Sequence, residues 1–356
     1  MLRKQKSFAA FMTIAILVIN STPAFADNRD RTITVMTYNM YPGTEFSDIF
    51  SSQSQAELVT EVAEAYTDVY AGNVPERIDE IADQISNASP DLVGLQEVAL
   101  WRYGYPQDPA PATAIAFDFL DMLLDSLDAR GQHYFPIAIQ TNLDAELTGV
   151  FGPTSALDIR YTDRVVILAR ADLSTSELFI ESTEAHHFTT NLPVSVLGTE
   201  VIVYRGWTSA DIKHRGKTYR FINAHLESFF EPVQLAQAAE LLQGPANTDL
   251  PVILAGDFNS DAAADGTAYG MFLSAGFSDV WDLMPATQPG YTWPLSGEIP
   301  NTLTAPTQRL DLVLTRGAIE QSSVDVLGED LAGDLTPSGF RPSDHAALKA
   351  SFVLQP

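Results

Sequence analysis

The chain has 356 residues, of which 46% are hydrophobic and 10% aromatic, a composition typical of a folded globular protein and not of a disordered one. It contains no cysteine, which excludes disulfides and thiolate metal sites. The 46 acidic residues outnumber the 20 lysines and arginines and give a formal net charge of −26. A field of this sign disfavours tight, nonspecific binding to nucleic acid.

Residues 1–26 have the features of a secretory signal, with a basic start, an apolar run and small residues at Ala24 and Ala26. The apolar run is shorter than the roughly 20 residues that a membrane span needs, so we predict cleavage after Ala26. A retained membrane anchor is the alternative. Because an export signal on a cysteine-free chain suits a bacterial protein, we expect a periplasmic or extracellular location without a later transmembrane segment.

Beyond the signal, apolar strands first alternate with amphipathic helices. The stretch TITVMTYNM is β-branched and apolar and predicts a strand that ends near Asn39. In the long insertion that follows, we expect a helix around residues 54–70. Isoleucines at helical spacing in ERIDEIADQISNA predict the next helix. The stretch DLVGLQEV then indicates a buried strand ending at Glu97.

The middle of the chain has a less regular pattern. Phe117, Leu120, Leu124 and Leu127 fall on one face of a predicted helix. Residues 136–162 are predicted to form an irregular insertion, and DRVVILAR after them predicts a strand.

Two strands joined near HRGK are predicted over residues 201–228, with Gly216 supplying the turn and His225 on the returning strand. The hairpin carries five cations, Arg205, Lys213, Arg215, Lys217 and Arg220. They either steer a phosphate-bearing substrate towards His225 or are ordinary solvated charges. No acidic partner for His225 is evident in the sequence.

The carboxyl-terminal part begins with PVQLAQAAELLQG, which Pro232 and Gly244 mark as a helix. The stretch VILAGDFNSD predicts a strand over residues 252–256 that runs into Asp257 and Asn259. The stretches RLDLVLTRG and HAALKASFVL predict the last two strands.

Strands that follow strands, with helices between them, predict an α/β fold in which two sheets pack face to face and helices cover the outside. The proline-bearing stretches, such as 104–112 and 289–306, lie between predicted elements as loops. We therefore predict a signal peptide over residues 1–26 and one domain over residues 27–356.

Polar side chains stand at the ends of several of these strands. The set comprises Asn39, Glu97, His225, Asp257, Asn259, Asp311, Asp344 and His345. Taken singly, each has an ordinary explanation as a turn former or a solvated rim residue. Together, these carboxylates, histidines and amides suit a hard divalent cation combined with acid–base groups.

Six of these stretches, in order from residue 32 to 354, resemble the endonuclease/exonuclease/phosphatase superfamily: MTYNM, DLVGLQEV, NAHLES, LAGDFNSD, RLDLVL and PSDHAALKASFVL. That superfamily includes deoxyribonucleases, abasic-site endonucleases, bacterial sphingomyelinases and inositol polyphosphate phosphatases. The resemblance implies a four-layered α/β sandwich, with two packed, mostly antiparallel sheets flanked by helices.

The resemblance also implies a metal and substrate site. Glu97 matches the acid that binds Mg²⁺, and Asp344 matches an acid near the metal. Asn39 matches the amide beside the Mg²⁺-binding acid that helps to hold metal or phosphate. Mn²⁺ is a possible substitute, since both are hard cations that prefer oxygen ligands.

The resemblance further implies the catalytic roles. Asp257 matches the residue that orients or deprotonates the attacking water, and Asn259 matches the amide that holds the phosphate or the nucleophile. His345, paired with Asp311, matches the histidine that contacts the phosphoryl oxygens. His225 matches the histidine that stabilises or protonates the departing side.

These expectations describe a secreted Mg²⁺-dependent phosphoester hydrolase, a phosphodiesterase or phosphatase that uses in-line attack of water. The acidity and the shortage of lysine favour a small-molecule or lipid head-group substrate. The alternative is a secreted endonuclease or deoxyribonuclease, for which nucleic acid is the substrate. A third possibility, a catalytically inactive binding protein on the same fold, is disfavoured because competent residues occupy every matched catalytic position.

Overall fold

The computed structural model describes residues 32–285, 287–296, 304–330 and 333–355, so the predicted signal peptide lies outside the described residues. The strands are β1 (Thr32–Asn39), β2 (Leu92–Gln96), β3 (Leu100–Gly104), β4 (Ala114–Asp118), β5 (Tyr134–Phe151), β6 (Ser155–Arg170), β7 (Leu178–His187), β8 (Leu192–Val196), β9 (Thr199–Val203), β10 (Gly206–His214), β11 (Lys217–His225), β12 (Val252–Asp257), β13 (Ser278–Asp279), β14 (Asp311–Arg316), β15 (Ile319–Leu327) and β16 (Ala347–Leu354). The helices are α1 (Ser47–Ser51), α2 (Gln55–Ala71), α3 (Val74–Ala88), α4 (Phe119–Ala129), α5 (Glu231–Gln243) and α6 (Thr267–Ser274). None of the helices in these ranges has the length and apolar character of a membrane span.

The strands form two large sheets and a small hairpin. The first sheet has the order β15-β16-β1-β2-β6-β3-β4, with β5 also paired to β6. The second has the order β13-β14-β12-β11-β10-β7, and β8 pairs with β9. Within the described ranges, β1–β2 and β11–β12 are parallel and the other strand pairs are antiparallel. This arrangement agrees with the predicted pair of mostly antiparallel sheets.

Alternating side chains place the two sheets face to face. On β1, Ile33 and Val35 join a buried cluster with Phe221 and Ile253 of the second sheet. Met36 and other residues of opposite phase pack beneath helices α2, α3 and α4. Helices α5 and α6 cover the outer face of the second sheet in the same way. The helix–sheet–sheet–helix order is the four-layered sandwich predicted from the sequence.

The prediction of an irregular insertion over residues 136–162 is wrong. Residues 136–162 form most of a long hairpin between β5 and β6, not an irregular segment. Exposed Asp144 and Glu146 alternate there with less exposed neighbours, as expected of a strand with one solvated face. Register shifts between Pro136 and Ala138 and between Thr141 and Asp144 interrupt the two-residue period, which conceals the strand from a pattern-based analysis.

The predicted helix near residue 117 begins later than expected. Phe117 belongs to β4, and Asp118 caps α4 by accepting a hydrogen bond from the Leu120 backbone N–H at 3.1 Å. By contrast, the helix predicted around residues 54–70 is present as α2. Its Tyr66 packs against Trp101 of the first sheet.

A buried amide pair joins the two sheets. Asn223 on β11 accepts a hydrogen bond from Gln96 Nε2 at 2.6 Å and donates to the backbone oxygens of Leu95 and Val166 at 3.0 and 2.9 Å. A Cβ on Gly94 would approach the Asn223 side chain to 2.8 Å, so the absence of a side chain at Gly94 makes room for the amide.

We expect Asn223→Ala to lower the free energy of unfolding by about 2–3 kcal/mol, because each buried group left without its partner costs about 1–3 kcal/mol. Urea unfolding followed by circular dichroism measures this change. Exposed Asn247→Ala is the matched control. A loss at Asn223 no larger than the loss at Asn247 would contradict a structural role for the amide pair.

Candidate active site

Strand register places three of the predicted residues side by side. His225 lies opposite Asp257 in the parallel β11–β12 pair, and Asp257 lies opposite Asp311 in the antiparallel β12–β14 pair. Each of the three lies an even number of positions along its strand from a residue of the core between the sheets, as Asp257 does from Ile253, and so belongs to the same face of the strand. The polar row therefore continues the inward face of the second sheet beyond its last apolar residues.

Asn39 reaches this row from the first sheet. Its Nδ2 donates to Asp257 Oδ2 at 3.1 Å, and its own carbonyl oxygen Oδ1 accepts from the Tyr41 backbone N–H at 3.0 Å. The Asn259 backbone N–H donates to Asp257 Oδ1 at 2.9 Å. The Asp257 carboxylate is therefore held by one donor from each sheet.

Burial raises the pKa of Asp257 to about 6, and Asp311 adds to that effect, while His345 and the hydrogen bonds from Asn259 and Asn39 oppose it. A carboxylate with a pKa near 6 is available as a base at neutral pH and has more affinity for a proton than an ordinary aspartate. The geometry and the protonation behaviour both suit the predicted role of Asp257 at an attacking water.

His345 and Asp311 form the predicted pair. His345 Nδ1 lies 2.7 Å from Asp311 Oδ2, and its Nε2 lies 3.8 Å from Asp257 Oδ2. Burial disfavours the charged ring, but Asp311, Asp344 and Asp257 outweigh it, so the pKa of His345 lies well above its ordinary value. The three carboxylates therefore favour the charged form of the His345 ring, which suits contact with an anionic phosphoryl group.

Glu97 and Asp344 provide two carboxylates in the same cleft. Burial raises the pKa of Glu97 well above its usual range, and repulsion from Asp344 adds to it. The backbone of Glu97 has φ +53°, a left-handed conformation that is uncommon for a residue with a side chain and is often found at functional sites. Two carboxylates that repel each other in one cleft supply oxygen donors that fit a hard divalent cation.

A second group of potential metal ligands is Asp257, Asp311 and His345, whose ligand atoms lie within 4.8 Å of one another. His345 Nδ1 is already engaged by Asp311, and a protonated imidazole has no lone pair for a metal. This group is therefore better suited to acid–base chemistry, and Glu97, Asn39 and Asp344 remain our candidate ligands.

Asn259 also lines the cleft, with φ +49°. Its Nδ2 donates to the backbone oxygen of Leu226 at 3.0 Å. This hydrogen bond uses one of the two amide hydrogens and fixes the orientation of the side chain, whose oxygen is an acceptor that can orient a water molecule.

Two of the five cations of the predicted hairpin are paired with acids. Arg215 pairs with Glu177 at 3.0 Å, and Arg220 pairs with Asp211 at 2.6 Å. Arg205, which precedes β10, instead lines the cleft, where its Nη1 lies 2.9 Å from His225 Nδ1. His225 thus lies between a guanidinium at Nδ1 and the Asp257 carboxylate, which is 3.4 Å from Nε2 and was not recognised as its acidic partner from the sequence.

The cleft has a volume of about 530 Å³, and the candidate residues that line it are Glu97, His225, Asp257, Asn259, Asp344 and His345. Several other lining residues are not among the candidates predicted from the sequence, namely Phe46, Tyr161, Asp163, Phe229 and Trp293. Asp163 was recognisable in principle, because it is in phase on β6 with Ile167 and Ala169 of the core between the sheets. The aromatic residues come from loops and helix-flanking segments as well as from strands, and no sequence period connects them.

Comparison with solved structures supports the fold. The chain resembles an endonuclease/exonuclease/phosphatase family protein from Bacteroides thetaiotaomicron at 18% identity and TM-score 0.56, covering 91% of this chain and 98% of that one. It also resembles a mannosyl-6-phosphatase from the same organism at 19% identity and TM-score 0.55, covering 90% of this chain and 99% of that one. D. rerio TDP2 in complex with a single-strand DNA product is similar at 18% identity and TM-score 0.53, covering 90% of this chain and 98% of that one.

No curated protein sequence matches the chain significantly. The model of the endonuclease/exonuclease/phosphatase family, however, matches residues 51–345. Because that match spans most of the chain, the protein belongs to the endonuclease/exonuclease/phosphatase family.

Proposed function

We propose that this protein is a secreted, Mg²⁺-dependent phosphoester hydrolase that acts on a small molecule or a lipid head group. The observation that carries the proposal is the Asp257 carboxylate, which accepts a hydrogen bond from Asn39 of the first sheet and lies 3.8 Å from Nε2 of His345, itself paired with Asp311 of the second sheet. Phosphoester hydrolysis needs an activated water, a positive environment for the phosphoryl oxygens and assistance to the leaving oxygen.

Each requirement has a candidate side chain, with His225 as the candidate beside the leaving oxygen. Asp257 accepts the proton of the attacking water, and the side-chain oxygen of Asn259 orients that water. The His345 cation binds the phosphoryl oxygens. Glu97, Asp344 and Asn39 would hold the divalent cation, which supplies positive charge for the oxygens that become more negative during the reaction.

The lining of the cleft favours a compact substrate with an apolar part. Aromatic rings of Phe46, Phe50, Tyr204 and Phe229 lie along its walls. Carboxylates outnumber the one lining arginine, Arg205, among the described residues, which opposes entry of a polyanion.

Both substrate classes occur among proteins of this fold, since one neighbour is a mannosyl-6-phosphatase and another was crystallised with single-strand DNA product. The aromatic walls of the cleft and the net charge of −26 support a small-molecule or lipid phosphoester as the substrate of this chain. The signal-like features of residues 1–26 support export to the periplasm or medium, which fractionation of expressing cells and amino-terminal sequencing of the product test directly.

A substrate panel tests the activity. The purified protein without residues 1–26 is assayed on bis-nitrophenyl phosphate, nitrophenyl phosphate, a choline phospholipid and plasmid DNA, each with Mg²⁺, with Mn²⁺ and with excess chelator. We expect metal-dependent turnover of at least one small or lipid ester and slow cleavage of DNA. Efficient plasmid nicking at nanomolar enzyme, without turnover of small esters, would establish the nuclease alternative. Turnover that persists in excess chelator would contradict the metal-dependent mechanism.

A further inference from the structure

Arg205 has a defined position at the edge of the second sheet. Its backbone N–H donates to Asn191 Oδ1 at 2.8 Å, and its carbonyl oxygen accepts from the Phe188 N–H at 3.0 Å. The next residue, Gly206, lies opposite His225 in the β10–β11 register. A Cβ on Gly206 would come within 2.6 Å of the His186 carbonyl oxygen on β7, so glycine permits the close packing of β10 against β7 next to Arg205.

The contact between Arg205 and His225 determines which ring nitrogen carries the proton. A guanidinium has donors and no acceptor, and it remains protonated in proteins. Its Nη1 lies 2.9 Å from His225 Nδ1, so Nδ1 must accept the hydrogen bond and cannot carry a proton. The ring proton then resides on Nε2, which lies 3.4 Å from Asp257 Oδ2.

The surroundings of the two residues agree with this assignment. Burial disfavours charge on His225, and Arg205 and His345 add repulsion, so the pKa of His225 lies well below its ordinary value. Burial also opposes the charge of Arg205, but the carboxylates of Glu227, Asp163 and Glu97 outweigh it and raise the pKa of Arg205. The pair is thus a permanent cation beside a neutral imidazole.

We propose that Arg205 is a positioning residue that holds His225 as the neutral Nε2–H tautomer, so that His225 acts at the substrate as a hydrogen-bond donor and not as a proton-donating acid. The proton stays on Nε2 throughout the reaction, and no bond at His225 is made or broken. This changes the role that the resemblance implied, in which His225 protonates the departing side. The effect on rate rests on the proposed phosphoester hydrolysis, whereas the tautomer does not.

Nuclear magnetic resonance reads the tautomer without any activity. In protein labelled with ¹⁵N at histidine, two-bond ¹H–¹⁵N correlations at pH 7 distinguish a bare ring nitrogen from a protonated one, and His225→Gln identifies the His225 signals by their loss. We expect a bare Nδ1 and a protonated Nε2. Arg205→Met should shift the Nδ1 signal towards the protonated position, while Lys213→Met, a change at an exposed cation on β10, should leave it unchanged.

An imidazolium or an Nδ1–H tautomer in the wild-type spectrum would overturn the proposal, and this result does not depend on whether Arg205→Met folds. An Nδ1 signal in folded Arg205→Met that matches the wild type would also overturn it.

Kinetics test the role of the neutral donor. The side-chain amide of glutamine can place an N–H near the position of Nε2, so His225→Gln should retain activity within roughly tenfold of the wild type. His225→Ala should lose roughly 10- to 100-fold, the range for one hydrogen bond to a charged group. Equal losses in the two variants would refute the donor role. A wild-type protein inactive on every phosphoester would refute the proposed function and leave the tautomer result standing.

Discussion

Replacing Glu97 with glutamine is expected to abolish metal-dependent hydrolysis and to leave the fold intact. The substitution preserves the shape of the side chain but removes the charge that would hold a divalent cation with Asp344 and Asn39. Loss of even an outer-shell group typically lowers metal affinity by about 10- to 100-fold, so loss of a direct carboxylate ligand should exceed about 100-fold. Because Glu97 follows the end of β2 and lines the cleft instead of packing in an apolar core, the core should tolerate the change.

Thermal unfolding separates metal binding from turnover. A ligand that binds only the folded state raises the melting temperature in proportion to RT ln(1 + [L]/Kd). Mg²⁺ or Mn²⁺ should therefore raise the melting temperature of the wild type and of Glu45→Gln, which removes a different carboxylate of the same cleft. The melting temperature of Glu97→Gln should not respond at these concentrations.

Without metal, the melting temperature of Glu97→Gln should instead exceed that of the wild type. A carboxyl whose pKa is raised on folding destabilises the folded state at pH values above its unfolded pKa, because the folded protein then holds a disfavoured charge. Burial and Asp344 raise the pKa of Glu97 in this way, so metal-free Glu97→Gln should melt above metal-free wild type at neutral pH. A lower melting temperature together with an unchanged metal response would identify Glu97 as a structural residue.

The sequence was sufficient to predict the layers of the fold, because alternation along strands such as β1 sends residues of one phase to the core between the sheets and residues of the other phase beneath helices. It was insufficient for residues 136–162, where shifts of register interrupt the two-residue period. The lack of a continuous period, and not a lack of strand-forming residues, caused that error.

The candidate site was predictable for a related reason. His225, Asp257 and Asp311 extend the inward-facing phase of their strands, so polar residues that follow apolar strands meet at one edge of the sheets. The contact between Arg205 and His225 was not predictable, because Arg205 lies in the short connection between β9 and β10. The direction of such a side chain depends on the tertiary structure and not on its place in a sequence period.

Asp257→Asn should reduce kcat/KM by about 10²- to 10⁴-fold, the usual contribution of a positioned acid–base group. Asparagine has nearly the same shape but cannot accept the proton of the attacking water. Its NH₂ group would also face one of the donors that Asp257 now accepts from, Asn39 Nδ2 or the Asn259 N–H. Asp261→Asn is the matched control, since it makes the same change two residues beyond Asn259 in a residue that also lines the cleft.

The pH dependence identifies the role of Asp257 more specifically than the loss of rate. Burial raises the pKa of Asp257 to about 6, so the basic form is lost as the pH falls through that value. At saturating metal, kcat/KM of the wild type and of Asp261→Asn should therefore decline about tenfold for each pH unit below about 6, as expected for loss of a single base. The residual activity of Asp257→Asn should lack this decline, because the group that titrates is gone. A decline of the same steepness and midpoint in Asp257→Asn would assign the titration to another group and remove Asp257 from the role of base.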